Sequence, residues 1–368
     1  MKISNVKYLD ENFEWKCGSV EFDSVITDIE ETAKCDGKYT LVPGFIDIHS
    51  HGCAGFDTCD NDIDGYDKMS EMYAKNGVTS WLFTTMTTPK HEIIKTLELI
   101  NKYIASGRGT AYPQGVYLEG PFICEAKKGA QSAVNILLPS AELFREFHEA
   151  SGGNIKVVAC APEVSGALEF ATEASKICRA SVAHTNASYD QTLEGFKAGF
   201  SSATHLFNAM PPYNHRDPGV IGAVLNSDVY AEIICDGIHV HPAVVKATFN
   251  SKGEDRMLLI SDSTQAAGMP DGEYTLGGQK VFLKDGVVKL ASGTIAGSAT
   301  KLISCIKNCI SWGIEDRIAF KSASLNPATF IGVANETGSI KIGKFADLVL
   351  LDKDLNVVKT FVKGRELG

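Results

Sequence analysis

The chain has 368 residues, 44% of them hydrophobic, which is enough to bury a large core, and its 45 acidic against 35 basic side chains give a formal charge of −10. That balance, with no long basic block, argues against nucleic acid or an anionic membrane as a partner. No apolar stretch reaches membrane length, and Lys2, Lys7, Asp10 and Glu11 leave the start of the chain without the apolar run of a signal peptide, so a cytoplasmic protein is expected.

Residues 1–43 alternate apolar and polar positions without helical spacing, as in Lys2-Ile3-Ser4-Asn5-Val6 and across Gly18 to Val25, and predict short strands. The run from Leu41 to Ile48 then reads as a buried strand ending in His49-Ser50-His51. Alternate side chains of an extended chain share a face, so the two imidazoles point the same way, and Gly52 and Gly55 let the backbone turn away from them. Further strands are predicted near 79–84, 114–118, 155–159, 181–184, 201–204, 230–235 and 257–261. Between them, Tyr66 to Asn76, His91 to Ala105, Ala141 to Ala150 and Gln191 to Ala198 place apolar residues at helical spacing. A hairpin-like insert is expected near 273–292, and 298–335 is helical again, with Asn326-Pro327-Ala328 opening the last helix. Gly338 to Lys344 and Ala346 to Asp352 close the chain as short antiparallel strands with glycine turns.

Strands alternating with helices call for a parallel sheet, and eight such units over residues 44–335 are best closed into a (β/α)8 TIM barrel, an α/β fold whose active site lies at the carboxyl ends of the strands. Neither terminal segment, 1–43 nor 336–368, can bury a core alone, so the two are expected to join in one small β-sandwich.

Several polar residues fall at those carboxyl ends. Glu119 follows Gln114 to Leu118 and precedes Gly120-Pro121, which stops a strand. His184 follows Ser181 to Ala183, His205 follows Ser201 to Thr204, and Asp262 follows Met257 to Ser261. Singly these are weak signals, because a lone histidine is usually structural and an aspartate often caps a turn. Jointly, His49, His51, Glu119, His184, His205 and Asp262 make the ligand set of a hydrolytic metal centre.

The segment Val42-Pro43-Gly44-Phe45-Ile46-Asp47-Ile48-His49-Ser50-His51-Gly52 resembles the amidohydrolase superfamily, as does the tail from Gly338-Ser339-Ile340 to Gly343-Lys344-Phe345-Ala346-Asp347-Leu348-Val349. Tyr117-Leu118-Glu119-Gly120-Pro121-Phe122 and Thr204-His205-Leu206-Phe207-Asn208-Ala209-Met210 resemble the N-acetylglucosamine-6-phosphate deacetylase family within it, and the resemblance covers nearly the whole chain. It implies hydrolysis of the N-acetyl group of N-acetylglucosamine 6-phosphate to glucosamine 6-phosphate and acetate. Glu119, His184 and His205 match the principal metal ligands and Asp262 the catalytic aspartate. Asn208 and Ala209 match a segment that meets the sugar phosphate, Arg216 a phosphate-binding arginine, and Asp236-Gly237-Ile238-His239 a substrate-contacting turn. Ile295-Ala296-Gly297 falls where the family closes over the substrate. Some members lack the first histidine pair and hold one metal, whereas this chain keeps His49 and His51, so one or two divalent ions per subunit are expected, the second bridged by Glu119. Where some relatives place a histidine against the substrate, this chain has Ala130-Gln131. A homodimer is expected, with the loop from Asn208 to Gly219 able to reach across the subunit boundary.

In such a centre Asp262 would act as general base and then general acid. Zinc is the expected ion, with iron, manganese and cobalt also suited to histidine and carboxylate ligands. Two other readings compete on the residues. Another amidohydrolase, such as an N-acyl amino acid deacylase, a dihydroorotase-like enzyme or a deaminase, fits the ligand set; the dihydroorotase-like case implies a lysine at the fourth strand, where this chain has Cys160-Ala161-Pro162-Glu163. A non-catalytic scaffold would have shed ligands, and none is missing. The ten cysteines are scattered with no CxxC pair and read as reduced, buried thiols.

Overall fold

The computed structural model describes residues 1–367. Eight strands, numbered first to eighth in chain order, form the barrel: Phe45–Ser50, Val78–Thr84, Tyr112–Leu118, Ile155–Cys160, Arg179–Val182, Phe200–Ala203, Tyr230–Ile234 and Met257–Ile260. Each lies parallel to the next. The eighth meets the first where the Asp262 amide donates to the His49 carbonyl at 2.9 Å and Ser50 bridges Ser263, which closes the barrel.

Side-chain alternation builds two cores from these strands. In the second strand Trp81 and Phe83 turn outward, where they meet Tyr73, Tyr66 and Tyr103 of the helices Ile63–Lys75 and Lys90–Ala105. Leu82 turns inward, to share the lumen with Ile46, Ile48, Tyr117, Val157 and Ile260. Both faces are therefore covered, which is why these strands read as continuous apolar runs. Helix Leu325–Phe330 seals the amino end of the lumen with Ala328 and Phe330, the latter against Tyr230 at the start of the seventh strand. That seal leaves only the carboxyl end open.

Both chain ends contribute to a second, seven-stranded sheet: Lys2–Leu9, Trp15–Phe22, Ile26–Thr32 and Thr40–Pro43 join Leu348–Leu351, Val357–Val362 and Arg365–Leu367. The sheet curls over on itself. Phe22 and Phe361 lie in strands with three others between them, yet their rings are 5.1 Å apart, and Val6, Tyr8, Val20, Leu41 and Leu348 fill the space they enclose.

The structure corrects three expectations. Gly338 to Lys344 forms turns rather than a strand, with Gly338 and Gly343 at φ of +86° and +90°, a conformation incompatible with an extended ladder. The insert holds three antiparallel strands, Gly272–Leu276, Gln279–Lys284 and Val287–Leu290, instead of a hairpin. The cysteines are not uniformly reduced and buried: Cys17 and Cys35 are disulfide-bonded, and Cys59, Cys124 and Cys178 are half-buried. Pairing of Cys17 with Thr32 across the hairpin brings Cys35 close, a proximity that sequence spacing conceals. Among the described residues no helix is long and apolar enough to cross a membrane.

Candidate metal centre and active-site cavity

His49 and His51 do share a face, but a break in regular alternation decides which. Asp47 pairs with Trp81 and Ser50 with Phe83, so the first strand spends three residues where the second spends two. The extra residue acts as a bulge and reverses the facing of everything beyond it. Ser50 consequently turns outward to Tyr73 (2.5 Å) and Ser263 (2.7 Å), and both imidazoles turn into the mouth of the barrel.

The opposing residues arrive by a shared device. His184, His205 and Asp262 each stand two residues beyond the fifth, sixth and eighth strands and adopt left-handed backbone, at φ of +43°, +31° and +48°. Such conformations are costly for residues other than glycine and cluster at functional sites. Here they swing three side chains over the lumen. Glu163, beyond the fourth strand, braces this arrangement by accepting from the Thr185 hydroxyl at 2.6 Å and the Asn186 amide at 2.5 Å.

Glu119 sits at the centre and divides the donors into two groups. Its Oε1 lies 3.1 Å from Nε2 of His184 and 3.1 Å from Nε2 of His205; its Oε2 lies 3.2 Å from Nε2 of His51. The two sets, His49-His51-Glu119 and Glu119-His184-His205, each gather their ligand atoms within 4.8 Å. Asp262 Oδ1 stands 3.3 Å from His51 Nε2 and 3.6 Å from His49 Nε2. The donor set fits a divalent metal. His184 spends its Nδ1–H on the Lys127 carbonyl at 2.9 Å, so its Nε2 points a lone pair inward, only 3.2 Å from the Nε2 of His205. His49 Nε2 is buried with no hydrogen-bond partner. Nitrogen lone pairs converging on carboxylate oxygens form a cradle for a cation.

Electrostatics point the same way. Burial by itself would push the His49 imidazole down, yet the Glu232 hydrogen bond and the charges of Glu119 and Asp262 lift it to about 9. His51 and His205 are raised against burial by the same carboxylates. Burial would raise the carboxyl of Glu119, but its histidine partners hold it well below the usual range, and Asp262 is lowered likewise by His51 and His49. The two carboxylates thus demand positive charge beside them, which a divalent ion supplies.

This cluster floors a cavity of about 420 Å³, within the roughly 300–1,000 Å³ common for small-ligand sites. Ala130, Asn208, Ala209, His239, Ile295 and Gly297 line it. Asp236 accepts from His239 Nδ1 at 2.7 Å, which turns the other ring nitrogen to the cavity, while Gly237 and Ile238 stay outside it. Ala296 is buried beneath the three-stranded insert with Met86 and Leu276. Arg216 is exposed and does not line the cavity. Gln131 lines it but is turned to the centre: its Oε1 accepts from the Thr87 amide at 2.7 Å, and its Nε2 donates to Glu119 Oε2 at 2.7 Å. Sequence reasoning missed Lys127, which also lines the cavity, and Glu232, which accepts from His49 Nδ1 at 3.0 Å. A single charge inside the apolar run of the seventh strand was the available signal for Glu232.

Comparison with known proteins agrees with this architecture. The sequence profile of the Amidohydrolase family matches residues 40–367. An N-acetylglucosamine-6-phosphate deacetylase of Vibrio furnissii is 38% identical over 333 residues, covering 89% of this chain and 83% of that protein. An N-acetylgalactosamine-6-phosphate deacetylase of Escherichia coli O157:H7 is also 38% identical, over 336 residues, 88% of this chain and 87% of that protein. The solved structure of the D267A mutant of N-acetyl-D-glucosamine-6-phosphate deacetylase from Mycobacterium smegmatis, in complex with N-acetyl-D-glucosamine-6-phosphate, superimposes with a TM-score of 0.94 at 29% identity, over 100% of this chain and 98% of that one. With its profile matched from the last N-terminal strand to the end of the terminal sheet, the chain belongs to the amidohydrolase family.

Proposed function

We infer that this chain is an N-acetylglucosamine-6-phosphate deacetylase, a metal-dependent hydrolase that releases acetate and glucosamine 6-phosphate. The observation that carries the reading is Glu119 shared between two histidine sets, with Asp262 Oδ1 3.3 Å from His51 Nε2 beside them on the floor of the cavity. Deacetylases of phosphorylated N-acetyl amino sugars among its relatives supply the substrate class.

His49, His51, Glu119, His184 and His205 would hold one or two divalent ions, with zinc proposed and iron, manganese or cobalt suited to the same donors. A bound divalent ion lowers the pKa of water toward about 7 and polarises an amide oxygen. The chain's own groups do the rest. Asp262, ionised because its carboxyl is held low, accepts the proton of the attacking water. It returns that proton to the amide nitrogen as the C–N bond breaks, so the sugar leaves as an amine and acetate remains. His239, braced by Asp236, faces the carbonyl and sugar hydroxyls as a hydrogen-bond partner. Asn208, Ala209 and Lys127 also line the cavity, and the phosphate is proposed to lie beside them.

We propose a homodimer joined through the loops that carry Tyr213 and Ile238, 57% and 41% exposed, which would enclose Arg216 near a phosphate. A cytoplasmic location goes with a phosphorylated sugar, whose charge keeps it from crossing a bilayer. The test is release of free amine from N-acetylglucosamine 6-phosphate, its C4 epimer and unphosphorylated N-acetylglucosamine, by protein whose metal has been counted. Turnover of the first far above the third supports the assignment, and no turnover of either phosphate ester by metal-loaded protein refutes it.

A further inference from the structure

We propose that Glu232 is the positioning residue that makes the His49/His51 half of the centre a site for a second divalent ion. The proposal rests on the metal-dependent reading above.

Glu232 lies in the seventh barrel strand with no solvent exposure. A buried carboxylate is retained only where charge or hydrogen bonds compensate it, and among the described residues no lysine or arginine pairs with Glu232. Its Oε2 accepts from His49 Nδ1 at 3.0 Å and from the His205 amide at 3.3 Å, and its Oε1 is buried without a partner. One oxygen therefore ties the ring of a ligand in one set to the backbone of a ligand in the other.

The consequence for His49 is a fixed tautomer. With its Nδ1–H given to Glu232, the imidazole presents the lone pair of Nε2 inward, 3.6 Å from both Glu119 Oε1 and Asp262 Oδ1. That lone pair has no hydrogen-bond partner, so three electron-rich atoms converge with nothing between them. A proton on Nε2 eases this arrangement in the metal-free protein, and a divalent ion would displace that proton and engage all three atoms. His51 has no comparable brace, since its Nδ1 is also unpartnered, so the orientation of this half depends on Glu232. The other half depends on it less: His184 is oriented by the Lys127 carbonyl, and Glu232 reaches only the backbone amide of His205, which a glutamine oxygen can still accept.

The test uses the full-length protein, freed of metal and titrated with Mn(II) by calorimetry, with the ion count checked by elemental analysis and the spectrum by electron paramagnetic resonance. Wild type should bind two ions per chain and show a spin-coupled pair. Glu232→Gln, which keeps the shape but not the charge, should keep the first affinity and weaken the second by about 10–100-fold, the usual effect of losing such an outer partner, with loss of the coupled signal. Glu232→Asp, whose charge is kept at shorter reach, should weaken the second ion by a smaller factor; if the glutamine variant does not fold, this variant decides. Equal second-ion affinity in the variant that folds, or a single ion in wild type, overturns the proposal. Because binding is read without substrate, a protein that loses the second ion on Glu232→Gln but deacetylates nothing would uphold the proposal and sink the functional reading instead.

Discussion

Replacing Asp262 by Asn tests the catalytic assignment most directly, because the structure separates its chemical from its structural contribution. The backbone of Asp262 is pinned on both sides, its amide donating to the His49 carbonyl at 2.9 Å and its carbonyl accepting from the Ser298 amide at 2.7 Å. Its φ of +48° is one that asparagine tolerates nearly as well as any residue but glycine. The substitution therefore leaves the loop in place and removes one negative charge together with the proton acceptor. Loss of a positioned general base lowers kcat by roughly 10²–10⁴-fold, which corresponds to about 3–5 kcal/mol of barrier. Five ligands from four other strands remain, so at least one ion stays bound and KM moves only a few-fold. The assay is the initial rate of amine release from N-acetylglucosamine 6-phosphate across substrate concentration at pH 7, beside a metal count on the same sample. A variant with wild-type metal content and kcat within fivefold of wild type would refute the role of Asp262. In wild type this carboxyl is held below the usual range by His51 and His49 against burial, so the base stays ionised from pH 7 down to 5. Any fall of kcat/KM across that interval must come from other groups.

Lys127 is the only lysine or arginine lining the cavity among the described residues, and its Nζ now rests 3.3 Å from the Met210 carbonyl. Lys127→Ala keeps the backbone carbonyl that orients His184 and should raise KM for the phosphorylated sugar about tenfold, near 1.4 kcal/mol, without changing the unphosphorylated one; equal loss on both substrates would remove Lys127 from phosphate recognition. Asp57 is buried, and burial pushes its carboxyl up to about 6 from a usual 3.8. A raised folded-state pKa means that the native state favours the protonated acid, so ionisation costs stability fully above pH 6 and not at all below about 4. Asp57→Asn can still accept from the Cys59 amide at 2.7 Å and should be about 1–3 kcal/mol more stable than wild type at pH 8, a gain that vanishes toward pH 4. Denaturant midpoints at the two pH values measure it, and a lower midpoint for the variant at pH 8 would show that the carboxylate is compensated.

The order of the barrel was legible because a strand covered on both faces must be apolar throughout, so Val78–Thr84 or Met257–Ile260 announces itself. The principal donors were legible for a related reason. A histidine or acid standing directly after such a run, as Glu119, His184, His205 and Asp262 do, can only lie at a strand's carboxyl end, and parallel strands put all those ends together. Relations between strands were not legible. The bulge that turns His49 and His51 inward, the left-handed backbone at three strand ends, the Cys17–Cys35 pairing and the partnership of Glu232 with a residue 183 positions away each depend on register and closure. Gln131 shows the limit in one residue: its place beside the site was readable, whereas its bond to Glu119 was not. Local sequence by itself determined which segments are strands and which residues stand at their ends, because backbone periodicity and burial act over a few residues. Only the tertiary structure decided which way those residues face and what they touch, because a closed barrel sets distances between side chains that the chain separates by scores of positions.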